Sequence, residues 1–383
     1  MYLHKSTVDG VKLGCLREMV VNHRHTLIGA IMDILRGICS DDFGSSSTGG
    51  GGESESKGGD GMDISPQARE NLQNMYDLFE DCHRLNPHDT DFDLIQHLSQ
   101  GYNDYVMERG SGILQGRTEE IEEMRKEKKK PSAGDFKMIN QFISLQHKMD
   151  QILHEIFNGS RLFLESQTQA FKGFFNQELD VFSTNEMLCK YVDGILKGSI
   201  KCSHDDERRE ILDDCISLFS YLNDKDIFAE TYRDLMGTRM LSKRVVSDDM
   251  EKHVITRLKV MCGSPFTSKL EGMMNDFTIA KDSEEAFGVY FNERRGDYIY
   301  EEGARNMESI DFSAKVLTKS FWPTHRLHTL TLPLMLQYCT TTFEDWYKSA
   351  NDSRKLEWVN SLGEMALSCP FPTAKKFVFY NVD

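Results

Sequence analysis

Three consecutive amphipathic helices, predicted between residues 217 and 283, constrain the fold more than any other stretch of the chain. Asp224 and Ser247 are predicted N-caps, because a short polar side chain there accepts a hydrogen bond from the first helical turn. Gly263 is a predicted stop, since glycine readily adopts the left-handed conformation that ends a helix, and a third helix follows Pro265. Each helix carries apolar residues at helical spacing, which predicts a bundle with these faces buried. The apolar residues are Ile227, Phe228, Tyr232, Leu235 and Met236, then Met250, Val254, Leu258 and Met261, then Leu270, Met273, Met274 and Phe277.

A series of charged, aromatic and glycine residues is spread over the same three helices. In order, these are Asp224, Lys225, Asp226, Phe228, Tyr232, Leu235, Arg239, Ser247, Asp248, Asp249, Glu251, Ile255, Leu258, Lys259, Cys262, Gly263, Phe266, Thr267, Lys269, Leu270, Glu271, Gly272, Met273 and Asp276. Their order and spacing resemble the cullin homology region. The sequence departs from that pattern at Gly237 and Thr238, where cullins usually carry alanine and a basic residue, and at Met240, where leucine is usual. A glycine inside a helix costs about 0.5–1 kcal/mol relative to alanine, so we expect this turn to be weakened without loss of the fold.

Periodicity and composition predict a mainly α protein with a C-terminal α+β subdomain. The resemblance implies an elongated helical stalk of cullin repeats, a helical bundle and then a small mixed sheet. Five segments with β-branched and aromatic residues are predicted strands, at 312–320, 327–332, 355–359, 364–368 and 376–382. The predicted domains are a helical remnant of an N-terminal cullin repeat at 1–39, a flexible Gly/Ser-rich linker at 40–63, a cullin-repeat stalk at 64–180, the cullin homology bundle at 181–309 and a truncated α/β subdomain at 310–383.

Charge and cysteine usage exclude several classes of protein. A net charge of −16 argues against general nucleic-acid binding, which needs clustered lysine and arginine. No apolar run reaches the roughly 20 residues of a membrane span, so no membrane partner is expected. The nine cysteines are scattered without CxxC pairs, which predicts reduced thiols and a cytoplasmic or nuclear location.

The sequence offers little for catalysis. The pairs His23 with His25 and Cys202 with His204 lack the second pair of ligands that a zinc site needs. The acidic residues at 248, 249 and 251 are explained as first-turn helix residues, and Cys262 is at the helix end that disfavours a thiolate. We therefore expect no catalytic residue, no metal and no cofactor.

The resemblance implies a non-catalytic scaffold of a cullin-RING ubiquitin ligase, which supports ubiquitin-dependent protein degradation. Its implied partners are a RING-box protein, a ubiquitin-conjugating enzyme recruited indirectly, and a cullin exchange factor. We expect the RING-box protein to add a strand at an edge among residues 314–318, 364–368 and 376–379, supported by two tryptophans. The candidate docking residues are Ala314, Val316, Thr318, Trp322, Trp358, Met365, Leu367, Phe377 and Phe379.

The resemblance covers the middle of a cullin and is nearest the cullin-1 type. We expect the first N-terminal repeat to be missing, together with the C-terminal winged-helix region, so that no lysine for neddylation is expected. An alternative function is therefore open, namely a helical binding module that sequesters cullin partners without ligase activity.

Overall fold

The computed structural model describes thirteen stretches of the chain, and the predicted linker at 40–63 lies outside them. Its backbone divides into two compact units, Met1–Ile195 with Lys201–Phe228, and Leu196–Ile200 with Ala229–Asp383. We call them the first and second unit and describe each by itself; the five domain boundaries stay a prediction. The described residues are 14, 23, 25–37, 66–85, 94–128, 136–177, 183–242, 247–294, 312–324, 331–351, 353–359, 364–369 and 375–380.

The first unit is helical. Among its described residues the helices are α1 (25–37), α2 (Pro66–Leu85), α3 (Leu94–Lys126), α4 (Lys137–Glu155), α5 (Arg161–Phe175), α6 (Thr184–Leu196) and α7 (Asp205–Phe219). The last residue of α6, Leu196, is assigned to the second unit.

Aromatic side chains form much of the core of the first unit. Phe157 and Phe163 stack with their ring centroids 3.9 Å apart, and Tyr76 meets both rings edge-on. Where α3 meets α5, a Cβ on Gly110 would lie 2.3 Å from the Phe174 ring, so glycine sets how closely the two helices approach. The predicted amphipathic helices therefore bury their apolar faces against one another.

The second unit contains the three helices predicted from residues 217–283. They are α8 (Lys225–Leu241), whose first turn still belongs to the first unit, α9 (Asp248–Cys262) and α10 (Ser264–Arg294). The side chain of Ser247 accepts a hydrogen bond from the backbone N–H of Asp249, and Gly263 has a φ of 86°, which confirms the predicted cap and stop.

Two details of these helices differ from the prediction. Ile227 is 53% exposed and Met261 42% exposed, so both lie at the margins of their apolar faces instead of in the core. The third helix begins at Ser264, and Pro265 lies in its first turn, where no backbone N–H is needed for the helix.

The C-terminal part contains α11 (Leu334–Ala350) and the strands β1 (Glu364–Cys369) and β2 (Lys375–Tyr380). The strands form an antiparallel pair in which Glu364 pairs with Tyr380 and Cys369 with Lys375. The mainly α class is thus confirmed, whereas a mixed sheet stays a prediction. The strands predicted at 312–320 and 355–359 were wrong, because the structure is irregular there. Most of the strand predicted at 327–332 lies outside the described residues. Within the described residues, no helix combines the length and apolar character needed to cross a membrane.

Candidate protein-docking site

A buried ion pair fixes α8 to α9. The guanidinium of Arg239 donates to the carboxylate of Glu251 at 2.6 and 3.3 Å, and the hydroxyl of Tyr232 donates to the same carboxylate at 2.6 Å. The Arg239 and Glu251 side chains are 0% and 1% exposed. Removing either partner alone would leave the other charge buried and unpaired, so the two residues depend on each other.

Asp276 on α10 holds the segment 312–324, which we call the docking segment. Its carboxylate accepts three hydrogen bonds, from the backbone N–H of Thr318 at 2.7 Å, the hydroxyl of Thr318 at 2.9 Å and the indole N–H of Trp322 at 3.0 Å. A carboxylate can accept several donors at once, so one side chain fixes both backbone and side chain of an otherwise irregular segment.

Glycine lets the docking segment approach the helices closely. Gly272 lies one turn before Asp276, and a Cβ there would lie 2.5 Å from the ring of Phe321. Gly237 on α8 is looser, because its Cβ would lie 3.4 Å from Pro323, an ordinary contact. Gly272 is therefore required by packing, whereas Gly237, the departure from the cullin pattern, leaves room for alanine.

A cleft with a volume of about 720 Å³ separates the docking segment from residues 354–359, which we call the flanking segment. Lys319 on the docking segment forms a 2.9 Å ion pair with Glu357 on the flanking segment. The indole N–H of Trp358 donates to Glu344 at 2.8 Å. The apolar residues lining the cleft include Ala314, Val316, Trp322, Phe343, Tyr347, Leu356 and Trp358.

The structure brings together five of the nine predicted docking residues. Ala314, Val316, Thr318, Trp322 and Trp358 all line the cleft. The side chain and backbone N–H of Thr318 already donate to Asp276, as does the indole of Trp322, so these two residues hold the segment in place.

The other four predicted residues are in the strand pair. Met365 pairs with Phe379, and Leu367 with Phe377, at alternate positions of β1 and β2. They form a second group, and their part in docking stays a prediction.

Sequence reasoning did not assign Asp276, Phe343, Tyr347 and Arg354 to the candidate site. Asp276 and Arg354 belonged to the family pattern, and Phe343 and Tyr347 to a predicted helix. The contact that joins Asp276 to the site was not predictable, because its partner Thr318 is 42 residues away. For metal binding, the described residues contain no group of three or more His, Cys, Asp or Glu side chains that could hold an ion.

Comparison with known proteins gives the family. The model of the cullin alpha solenoid domain matches residues 60–284, and that of the cullin alpha+beta domain matches residues 316–382. The first match alone covers more than half of the chain. The chain therefore belongs to the cullin family.

Individual relatives agree with this assignment. The chain is 31% identical over 307 residues to Cullin-1 of Oryza sativa subsp. japonica, covering 79% of this chain and 38% of the relative. It is 28% identical over 372 residues to Cullin-3 of Dictyostelium discoideum, covering 97% and 41%, and 30% identical over 272 residues to Cullin-2 of Arabidopsis thaliana, covering 70% and 35%. The matched region thus spans about two fifths of each relative, and the similar identities do not single out the cullin-1 type.

Proposed function

We propose that this chain is a scaffold subunit of a cullin-RING ubiquitin ligase that binds a RING-box protein in the cleft. The RING-box protein recruits the ubiquitin-conjugating enzyme, so the chain supports ubiquitin-dependent degradation by positioning its partners and carries out no chemistry itself. A cullin exchange factor is a further proposed partner. We propose a cytoplasmic or nuclear location, where scattered cysteines stay reduced.

The observation that carries this proposal is that the docking segment and the flanking segment are not paired with each other through their backbones. Among the described residues, no backbone hydrogen bond joins the docking segment to the flanking segment, and neither is part of a strand pair. A partner strand laid between them would gain backbone hydrogen bonds, the usual source of affinity in strand addition. The three hydrogen bonds to Asp276 would hold one side of that site in place before the partner binds.

The first test is co-purification of the full chain with a RING-box protein, followed by a ubiquitin-discharge assay on the complex. We expect a stoichiometric complex that accelerates discharge from the conjugating enzyme. A complex without discharge activity would favour the sequestering module, and absence of a complex would contradict RING-box binding.

A matched pair of variants at Val316 tests the mode of binding. Val316→Pro removes a backbone N–H and fixes φ, whereas Val316→Ala only shortens a half-buried side chain. We expect proline to weaken binding by tenfold or more, on the order of one lost hydrogen bond plus backbone restriction, and alanine by a few-fold. Circular dichroism must show both variants folded. Equal weakening by the two changes would indicate a side-chain contact instead of strand addition.

A further inference from the structure

We propose that the cleft also binds small amphipathic anions, in which a planar aromatic group carries one carboxylate or sulfonate. Its volume of about 720 Å³ lies within the roughly 300–1,000 Å³ typical of small-molecule sites. Both parts of such a ligand have a counterpart among the residues that line the cleft.

The aromatic part of the ligand matches the rings in the cleft. Trp322 and Tyr347 are each 6% exposed, and Trp358 is half-buried. The indole N–H groups of both tryptophans already donate, to Asp276 at 3.0 Å and to Glu344 at 2.8 Å. Trp358 is therefore the indole that can offer ring surface to a ligand, whereas the nearly buried rings of Trp322 and Tyr347 form part of the cleft wall. Flat apolar groups pack on such a ring in offset or edge-on geometry.

The anionic part matches an excess of positive charge. Four cations are among the described lining residues, and Glu357, the one carboxylate among them, is paired with Lys319. The ammonium of Lys315 lies over the ring of Phe277, so Arg354 and Lys355 are the two cations that the proposal assigns to the ligand. Arg354 lies beside the aromatic residues, since its guanidinium is 3.5 Å from the hydroxyl of Tyr347. A guanidinium can bind a carboxylate through two parallel N–H groups, so this residue is suited to hold the anionic end. The four cations are Lys315, Lys319, Arg354 and Lys355.

This local excess of cations is notable because the chain as a whole has a net charge of −16. Long-range attraction of an anion by the whole protein is therefore excluded, and selectivity for an anion must come from the cleft itself. If RING-box docking occurs as proposed above, the same ligands compete with it, because both occupants need the space between the two segments.

Fluorine NMR of the full chain labelled with fluorotryptophan tests this inference with an internal control. The chain has three tryptophans, of which Trp322 and Trp358 line the cleft and Trp346 does not. Titration with naphthoate is expected to shift the resonances of Trp322 and Trp358 and to leave that of Trp346 in place, with a dissociation constant on the order of 100 micromolar. Single tryptophan-to-phenylalanine variants assign the three resonances.

The neutral isostere naphthamide and two charge variants test the role of the cations. We expect naphthamide to bind about tenfold more weakly than naphthoate. Arg354→Gln combined with Lys355→Gln should reduce naphthoate binding to the level of naphthamide, whereas Lys252→Gln on α9, outside the cleft, should change neither. Equal binding of the two ligands, or a uniform shift of all three resonances, would overturn the proposal.

Addition of a RING-box protein separates this inference from the proposed function. If the complex forms, it should abolish the naphthoate-induced shifts at Trp322 and Trp358. If no complex forms but the shifts persist, the ligand site stands and RING-box docking is contradicted. If the complex forms and naphthoate alone produces no selective shift, docking stands and the ligand site is overturned.

Discussion

Each of the two units has an aromatic core, but the second also contains an ion pair whose two side chains are both buried. In the first unit, stacked and edge-on aromatic rings such as Tyr76, Phe157 and Phe163 fill the core. In the second unit, an aromatic cluster around Phe287 and Phe343 is accompanied by a buried ion pair between Arg239 and Glu251. Close glycine contacts occur in both units, at Gly110 and at Gly272. An apolar core accepts other residues of similar volume, whereas neither partner of a buried ion pair can be replaced alone without leaving the other charge buried and unpaired.

Most residues of the family pattern lie in the second unit. Several residues of that pattern have a specific partner in the structure. Thr267 donates to Glu271 at 2.6 Å, Lys259 pairs with Glu271 at 3.0 Å, and Lys281 pairs with Asp248 at 3.3 Å. Such residues leave a readable pattern in a single sequence. Residues that only fill apolar volume are visible in the sequence as apolar residues at helical spacing, which many unrelated helices share.

The largest expected effect is at the buried ion pair. Glu251→Gln keeps the shape of the side chain but leaves Arg239 buried without a countercharge, and we expect it to destabilise the protein by about 3–5 kcal/mol. Urea unfolding followed by tryptophan fluorescence measures this, since all three tryptophans are in the second unit.

Two controls accompany the Glu251→Gln variant. Arg239→Met combined with Glu251→Leu removes both charges and should recover most of the loss. Lys252→Gln removes an exposed pair with Asp249, 3.7 Å long, and should cost less than about 0.5 kcal/mol. If Glu251→Gln lowered the free energy of unfolding by no more than Lys252→Gln does, the buried ion pair would not distinguish the second unit from the first.

A second comparison uses two glycines of the same helix, α10. At Gly272 a Cβ would meet the Phe321 ring at 2.5 Å, and at Gly288 it would meet nothing within 4 Å. We expect Gly272→Ala to destabilise the protein by about 1–3 kcal/mol through displacement of the docking segment. The same change should weaken the RING-box binding that we propose for the cleft. Gly288→Ala should stabilise it by about 0.5–1 kcal/mol, because alanine favours the helix. Equal stabilities of the two variants in urea would contradict the close contact at Phe321.

Local signals in the sequence were enough to predict the helices but not how far each apolar face extends. Ser247 and Gly263 could be predicted as cap and stop because both act within one helical turn. Ile227 and Met261 were wrongly placed in the core, because helical periodicity identifies the centre of an apolar face better than its margins.

The candidate site was predicted in part, and the missing part depends on contacts between distant residues. The resemblance placed Trp322, Trp358 and the residues around Val316 in one candidate site, and in the structure they line the same cleft. The strand predicted for 312–320 failed because composition shows that a segment suits a strand, while a strand also needs a paired neighbour. The hydrogen bonds from Thr318 to Asp276, between positions 42 residues apart, give no signal in local pattern.

A smaller effect is expected for a conservative change in the aromatic core of the first unit. Phe163→Leu keeps an apolar side chain of similar volume in a position that is 0% exposed, and loses the stacking with Phe157. We expect a loss of about 1 kcal/mol, well below that for Glu251→Gln, although the leucine change alters more of the side chain's shape. Urea unfolding followed by circular dichroism checks this. A loss as large as that of Glu251→Gln would show that the first unit is as intolerant of substitution as the second.

The smallest expected effect is a pH dependence in the first unit. His147 on α4 lies 2.8 Å from Asp214 on α7, through Nε2 and Oδ1. The pKa of His147 is raised above its ordinary value, mainly by this hydrogen bond and further by the charges of Asp214 and Asp150, while burial opposes the shift.

Because the pKa of His147 is higher in the folded state, its protonated form stabilises folding, and the sign of the pH dependence follows. The stabilisation by protonated His147 is complete below its unfolded-state pKa of about 6.5, and it is lost as the pH rises through its higher folded-state pKa. His147 is 58% exposed, so solvent screening should limit the loss to a few tenths of a kcal/mol, and salt should reduce it further. Urea unfolding at pH values from about 5.5 to 8.5 should therefore show stability falling slightly more steeply in the unaltered chain than in His147→Gln. Equal slopes would assign the pH dependence to other groups and leave the contact between α4 and α7 to its apolar residues.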